Sequence, residues 1–198
     1  MIFPEDKDLS RALEFTLEMD KMKSIFRRSS IFDGSRREND DEHSYHIAVM
    51  ALAFEKYAPE GVDLLRVLKM LLVHDIVEID AGDTFAYDKE ANLTKKERES
   101  AAADRLFSMI ENGDELRALW EEFDRMETPD ALYAISLDRL EPFLANCLNK
   151  GDTWFAGGVG KEAILKRMAP VEKGIPALWQ TVLALIDENV EQGYVTKT

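Results

Sequence analysis

A chain of 198 residues with 45% hydrophobic content is long enough to bury one sizeable core and does not need a second domain. Its net charge of −14 excludes a nucleic-acid polymer as the main ligand, because gripping a phosphate backbone depends on lysine and arginine. Met1 to Asp8 is charged and no apolar run approaches the roughly 20 residues that span a bilayer, so neither a signal peptide nor a membrane anchor is expected, and the chain reads as cytoplasmic.

Periodicity is helical almost throughout, with no convincing alternating strand pattern and no internal repeat, so the expected fold class is all-α. A first helix is predicted from about Asp8 to Ser29, with Leu13, Leu17 and Ile25 as its apolar stripe, ending before the turn Asp33-Gly34-Ser35. Between Lys21 and Arg37 the chain carries Lys21, Lys23, Arg27, Arg28, Arg36 and Arg37 against the single acid Asp33. This segment is either a solvated helix face and loop or the place where a small anion docks. Residues 43 to 57 read as the next helix, with Ile47, Met50, Ala51 and Phe54 on one stripe and His43 in the first turn. His43 and His46, three apart, share a face; His43 is the candidate metal ligand, while His46 either joins it or only hydrogen-bonds and packs.

A third helix is predicted to begin near Val62, to carry Leu64, Leu65, Leu68, Leu71 and Leu72 inward, and to reach His74, Asp75 and Glu78 before Gly82 permits a turn. His74 and Asp75, adjacent in an apolar stretch, are costly to bury together without compensation. Either they cap one another or they coordinate a divalent ion. Glu78, four residues after His74, is placed to orient or deprotonate a water on that ion without binding the ion itself. Asp83, beyond the Gly82 turn, either reaches back into the same pocket as an acid, water anchor or sugar contact, or caps the turn.

Gly82 to Thr94 reads as a loop with room for a lid, and Thr94 with Glu97 makes a capping box for a helix through Met109. Further helices are expected at about Asp114 to Arg125, Pro129 to Leu148, Lys161 to Met168 and Val171 to Glu191. Gly157, Gly158 and Gly160 punctuate a loop and match no phosphate-cradling fingerprint. Asp138 interrupts an apolar helical face, which makes it either a fourth ligand from a distant helix or the ion-pair partner of Arg139. Two nitrogens and two carboxylates, from His43, His74, Asp75 and Asp138, leave open positions on a six-coordinate ion, a mix that suits Mn, Co, Fe, Ni or Mg better than a closed structural zinc site. Cys147, the single cysteine, reads as a packing residue rather than a nucleophile. Phe143, Leu144, Trp154 and Phe155 are either core or a surface for a partner.

The spacing of His43, His74-Asp75 and Asp138 resembles the HD-domain metal-dependent phosphohydrolases. The stretches from Asp33 to Ser44, from His74 to Thr84 and from Leu137 to Leu140 are similar to the branch related to bacterial 5′-deoxynucleotidases, over about residues 10 to 170. The resemblance implies a single HD-type helical domain over residues 1–198, with a helix at 171–191 beyond the motif-bearing core, and a homodimer. It also implies one divalent ion (Mn, Co, Mg, Fe, Ni or Zn) held by His43, His74, Asp75 and Asp138, with Glu78 and Asp83 catalytic. Arg27 would grip the phosphate, or Arg28 if the alignment shifts by one. The implied activity is removal of phosphate from a small metabolite, foremost a (deoxy)nucleoside 5′-monophosphate. Members of that branch carry a tryptophan directly after the arginine to contact the sugar; here Arg28 and Ser29 follow, so the resemblance covers the metal centre but not the choice between deoxyribose and ribose. Related helical folds host cyclic-nucleotide phosphodiesterases and di-iron oxygenases, which need more histidines than three. A non-catalytic nucleotide sensor would keep the pocket without needing Glu78 and Asp83.

Overall fold

Asp6 accepts hydrogen bonds from the backbone of Asp8 and Leu9 and so starts α1 (Lys7–Met19) in the computed structural model, which describes residues 3–196. Met1 and Ile2 of the charged N-terminal stretch lie outside the described residues. The helix stops at Met19, not Ser29, and its stripe is only half-covered, Leu13 and Leu17 being 38% and 48% exposed. After a 3-10 turn at Asp20–Ser24 the chain straightens into β1 (Phe26–Ser30), which pairs antiparallel with β2 (Arg37–Asn39).

A two-stranded ribbon is marginal alone and needs tertiary support. Here Ser30 Oγ donates to Asp152 at 2.7 Å and Asn149 Nδ2 donates to the Ile31 carbonyl at 3.2 Å. Both partners lie more than a hundred residues away in sequence, beyond the reach of local periodicity.

Asn39 and Glu42 form a reciprocal capping box that fixes α2 (Asp40–Ala53). It closes in a 3-10 turn at Glu55–Tyr57. Asp63 caps α3 (Leu64–Val73), which ends at His74 instead of running on to Glu78; the chain turns there and re-forms as the short α4 (Glu78–Ala81), stopped by Gly82 at φ 72°. Next come α5 (Asn92–Phe107) and α6 (Gly113–Arg125). The expected box at Thr94 is absent: Thr94 lies inside α5, and the Asp88 carboxylate instead accepts from the backbone of Glu90 and Ala91.

The longest element, α7 (Pro129–Leu148), has Pro129 in its first turn and Thr128 as cap. It is followed by α8 (Asp152–Ala156), α9 (Lys161–Met168), α10 (Val171–Gly174) and α11 (Pro176–Glu191). Pro176 divides the helix expected over 171–191, since it offers no backbone N–H and its ring clashes with a continuing helix.

The core gathers around α7, whose Tyr133 and Leu137 are fully buried with Ile47, Met70, Leu106 and Ile164. Phe143 and Trp154 pack inside it with ring planes tilted by 52° and centroids 5.5 Å apart, Leu144 is half-buried, and Phe155 is exposed. The fold is all-α apart from the hairpin, and among the described residues no helix is long and apolar enough to cross a membrane.

Gly174 marks the closest approach of α10 to α7: a Cβ there would collide with the Leu132 carbonyl and Ser136 Oγ. Gly174→Ala is expected to cost about 1–3 kcal/mol by overpacking and to lower Tm by about 3–10 °C in a calorimetric scan. An unchanged Tm would show that α10 moves freely off α7.

Candidate active site

Four donor atoms converge where α2, the end of α3 and the middle of α7 meet. His43, in the first turn of α2, is fully buried; its Nε2 lies 3.1 Å from Asp138 Oδ1, and its Nδ1 faces Glu141 at 3.3 Å and Glu38 at 3.4 Å. His74 terminates α3 with Nδ1 donating to the Leu71 carbonyl at 2.8 Å. Its Nε2 points inward, 3.0 Å from Asp75 Oδ2 and 3.6 Å from Asp138 Oδ1, and makes no hydrogen bond.

These residues fit a divalent ion. Neighbouring donors on an ion bound at about 2.1 Å lie about 3.0 Å apart, close to the separations of 3.0, 3.1 and 3.6 Å found here. An imidazole with Nδ1 committed to a carbonyl and Nε2 bare is in the tautomer a metal ligand requires, and a carboxylate behind His43 is the usual orienting partner. Ligand atoms of His43, His74 and Asp75 all fall within 4.8 Å of one another.

Arg27 enters the cluster from β1. Its Nη1 donates to Asp75 Oδ2 at 2.8 Å, and Glu38, Asp40 and Asp138 stand at 3.9, 3.9 and 4.0 Å. Arg28, next along the strand, turns the other way and lies over the Phe85 ring at 5.0 Å. Glu78, in the first turn of α4, is buried with Oε2 unpartnered. Burial, then the charges of Asp75 and Asp40, push its carboxyl well above the ordinary range. Burial likewise raises Asp83, which accepts a hydrogen bond from the Arg28 backbone and lines the same cleft as Glu78 and Asp138. All seven residues singled out from the sequence are therefore brought to one place.

His46 is not part of the donor cluster: it sits half-exposed against Glu141 at 3.5 Å and edge-on to Phe32. Asp138 does not pair with its neighbour Arg139. Arg139 Nη1 donates to the Arg167 carbonyl at 2.8 Å, and it is Arg167 that approaches Asp138 Oδ2, at 3.7 Å. The loop after Gly82 is tied down, with Arg98 donating to the Ala81 carbonyl, Thr84 Oγ1 and the Ala91 carbonyl. Burial raises the Cys147 thiol to about 12, which leaves it protonated at neutral pH.

Five residues of the site escaped the sequence: Glu38, Asp40, Glu141, Arg139 and Arg167. Asp40 is fully buried beside Asp75 and Glu78, with neither oxygen in a hydrogen bond, and burial followed by Asp75 raises its carboxyl to about 7. An acid in a first helical turn ordinarily answers the helix dipole, so its position carried no signal. Glu141 had a usable one, since it lies three residues after Asp138 on the same face of α7.

Residues 19–179 match the sequence model of the HD domain family. A predicted metal-dependent phosphohydrolase from Magnetospirillum magnetotacticum MS-1, known from a crystal structure, shares the fold with a TM-score of 0.92 and 45% identity, over 98% of this chain and 99% of its own. Curated relatives that carry the name 5′-deoxynucleotidase HDDC2 include proteins from Dictyostelium discoideum and Danio rerio. The one from Dictyostelium discoideum is 29% identical over 69% of this chain and 76% of its own length. The one from Danio rerio is 27% identical over 67% of this chain and 66% of its own length.

Without an ion, burial pulls the His74 imidazole down, but Asp75 and Asp138 outweigh it and hold it up at about 9. Below that pH the ring carries a proton that a cation at Nε2 must displace, so divalent-ion affinity is expected to rise with pH up to about 9. Calorimetric titration with Mn²⁺ near pH 7, in buffers of different ionisation enthalpy, should report proton release, and Asp138→Ala should remove the tight binding. Binding without proton release would contradict the assignment of His74.

Proposed function

The chain belongs to the HD domain family, and on that premise we propose that it is a divalent-metal-dependent phosphomonoesterase acting on a small phosphorylated metabolite, foremost a (deoxy)nucleoside 5′-monophosphate. One observation carries this: the bare Nε2 of His74, facing Asp75 and Asp138 beside His43. His43, His74, Asp75 and Asp138 would hold the ion, for which Mn, Co, Mg, Fe, Ni and Zn are the candidates. When bound, it supplies Lewis-acid neutralisation of phosphoryl oxygens and lowers the pKa of water.

The protein's own groups do the rest. Glu78 takes the proton of the attacking water as the new P–O bond forms, and its raised pKa gives it the proton affinity a base needs. The ester P–O bond breaks opposite, and Asp83 returns a proton to the departing alcohol. Arg27 offers a planar fork to the phosphoryl oxygens, where charge builds in the transition state. The relatives named 5′-deoxynucleotidase support the nucleotide substrate. So does the adjoining cleft, walled by Phe85, Tyr87, Phe143 and Trp154.

We take the whole chain to be one HD-type unit working as a cytoplasmic homodimer. The phosphodiesterase and di-iron readings find no support, because His46 lies outside the donor cluster. A sensor would have no use for Glu78 and Asp83 in the cleft.

The test is phosphate release from deoxy- and ribonucleoside monophosphates, cyclic nucleotides and sugar phosphates, using EDTA-stripped protein reloaded separately with Mn, Co, Mg and Zn. Release from deoxynucleoside monophosphates should return with metal and fall about 10²-fold or more in Glu78→Ala. Release from ribonucleotides should be comparable, since no tryptophan follows Arg27. Silence on every substrate with every metal would refute the assignment.

A further inference from the structure

The hydrolysis described above gives no role to Arg139 and Arg167, two of the cations that line the cleft. Arg139 follows Asp138 on α7, so its side chain leaves the helix about 100° away from the ligand. Arg167 stands in the last turn of α9. Both line the two clefts that share Arg27, Asp83 and Thr84 as a common wall, one cleft polar and holding Glu78, the other flanked by Phe85, Tyr87 and Trp154.

Their surroundings are unlike those of Arg27. Arg27 is hemmed in by Asp75, Glu38, Asp40 and Asp138. Arg139 has no carboxylate ion pair among the described residues. Its Nη1 goes to the Arg167 carbonyl, its Nη2 lies 3.1 Å from the Met126 sulfur, and its Nε is buried without a hydrogen bond. Arg167 has one acid, Asp138, at 3.7 Å, and that acid is already shared with His43, His74 and Arg27. A partly buried guanidinium without counter-charge is costly, and the ligand that best repairs it is an anion with several acceptor oxygens in one plane of approach.

We infer that Arg139 and Arg167 form an anion subsite, distinct from Arg27, that takes a phosphoryl group of the substrate between the metal ligands and the aromatic wall. The inference rests on the hydrolase reading of this cleft and adds to it the group the cleft recognises. That phosphoryl has two chemically equivalent sources: the group that is hydrolysed, or a second phosphate on the same molecule.

Binding is tested apart from turnover, by calorimetric titration of the folded, metal-free protein with inorganic phosphate. Wild type should bind, Arg139→Gln and Arg167→Gln should each weaken binding by about tenfold, and the double variant should abolish it, with circular dichroism and melting curves unchanged. Because Arg139 also bonds to the backbone of α9, Arg167→Gln carries the test if Arg139→Gln fails to fold. Steady-state kinetics of the metal-loaded enzyme then separate the sources. A rise in KM for nucleoside monophosphates, with kcat within about threefold, assigns the subsite to the hydrolysed group. A rise confined to substrates bearing a second phosphate assigns it to that group. No phosphate binding by wild type up to about 10 mM, or equal binding by wild type and Arg167→Gln, overturns the inference. Phosphate binding lost in the variants of a protein that hydrolyses nothing would instead uphold the subsite and refute the hydrolase.

Discussion

Asp138 is where the structure is tied together. Its carboxylate, in the middle of α7, meets His43 from α2, His74 from the end of α3, Arg27 from β1 and Arg167 from α9. Burial would push it towards protonation, yet its hydrogen bond with His43 and the nearness of His74 hold it well below the usual carboxylate range. With its five buried neighbours Glu38, Asp40, Asp75, Glu78 and Glu141 it makes six acids, against the cations Arg27, Arg167, His43 and His74. Even with both imidazoles protonated, the acidic groups outnumber the cationic ones. Charges packed this densely away from water are tolerated only with compensation, of the kind a divalent ion would supply.

The helical scaffold explains why that density can be held. α7 is anchored at its start by Pro129 and Thr128 and packed against α2, α3, α6 and α10, so Asp138 and Glu141 project from a helix held on several sides. The donors on the facing elements sit at ends, where the backbone can turn: His43 in the first turn of α2 and His74 as the cap just beyond Val73 of α3. The break after His74 has a direct consequence. A continuous helix would carry Glu78 one turn further along the axis of α3, whereas the turn into α4 brings its carboxylate back beside Asp75 and Asp40.

What could be read from the sequence divides along the same line. α7 and α9 run between the residues expected for them, because proline, glycine and caps are local signals; His74, Asp75 and Asp138 stood out because polar groups in apolar runs demand a reason, and His43 as a histidine in the first turn of an expected helix. The hairpin was invisible because its support comes from Asp152 and Asn149. Of the two readings open for Asp138, the ion pair with Arg139 rested on adjacency alone, and it fails because successive helical residues point in different directions. Asp40 and Glu38 look like surface acids before a helix, and only the arrival of α4 and α7 against α2 makes them part of a buried network.

Strand geometry also bears on what the cleft selects. Successive side chains of β1 leave on opposite sides, so a residue following Arg27 cannot share its surroundings. Arg27 faces the acids, and Arg28 lies over Phe85 at the mouth of the neighbouring cleft. In place of a flat ring on the strand, this chain puts a cation on the strand and its ring on the loop after α4. That loop is clamped by Arg98, so the Phe85 face is presented in a set position. Discrimination among substrates then has to come from the wall formed by Phe85, Tyr87 and Trp154 together with the arginines beside it, and not from a contact made at position 28 alone.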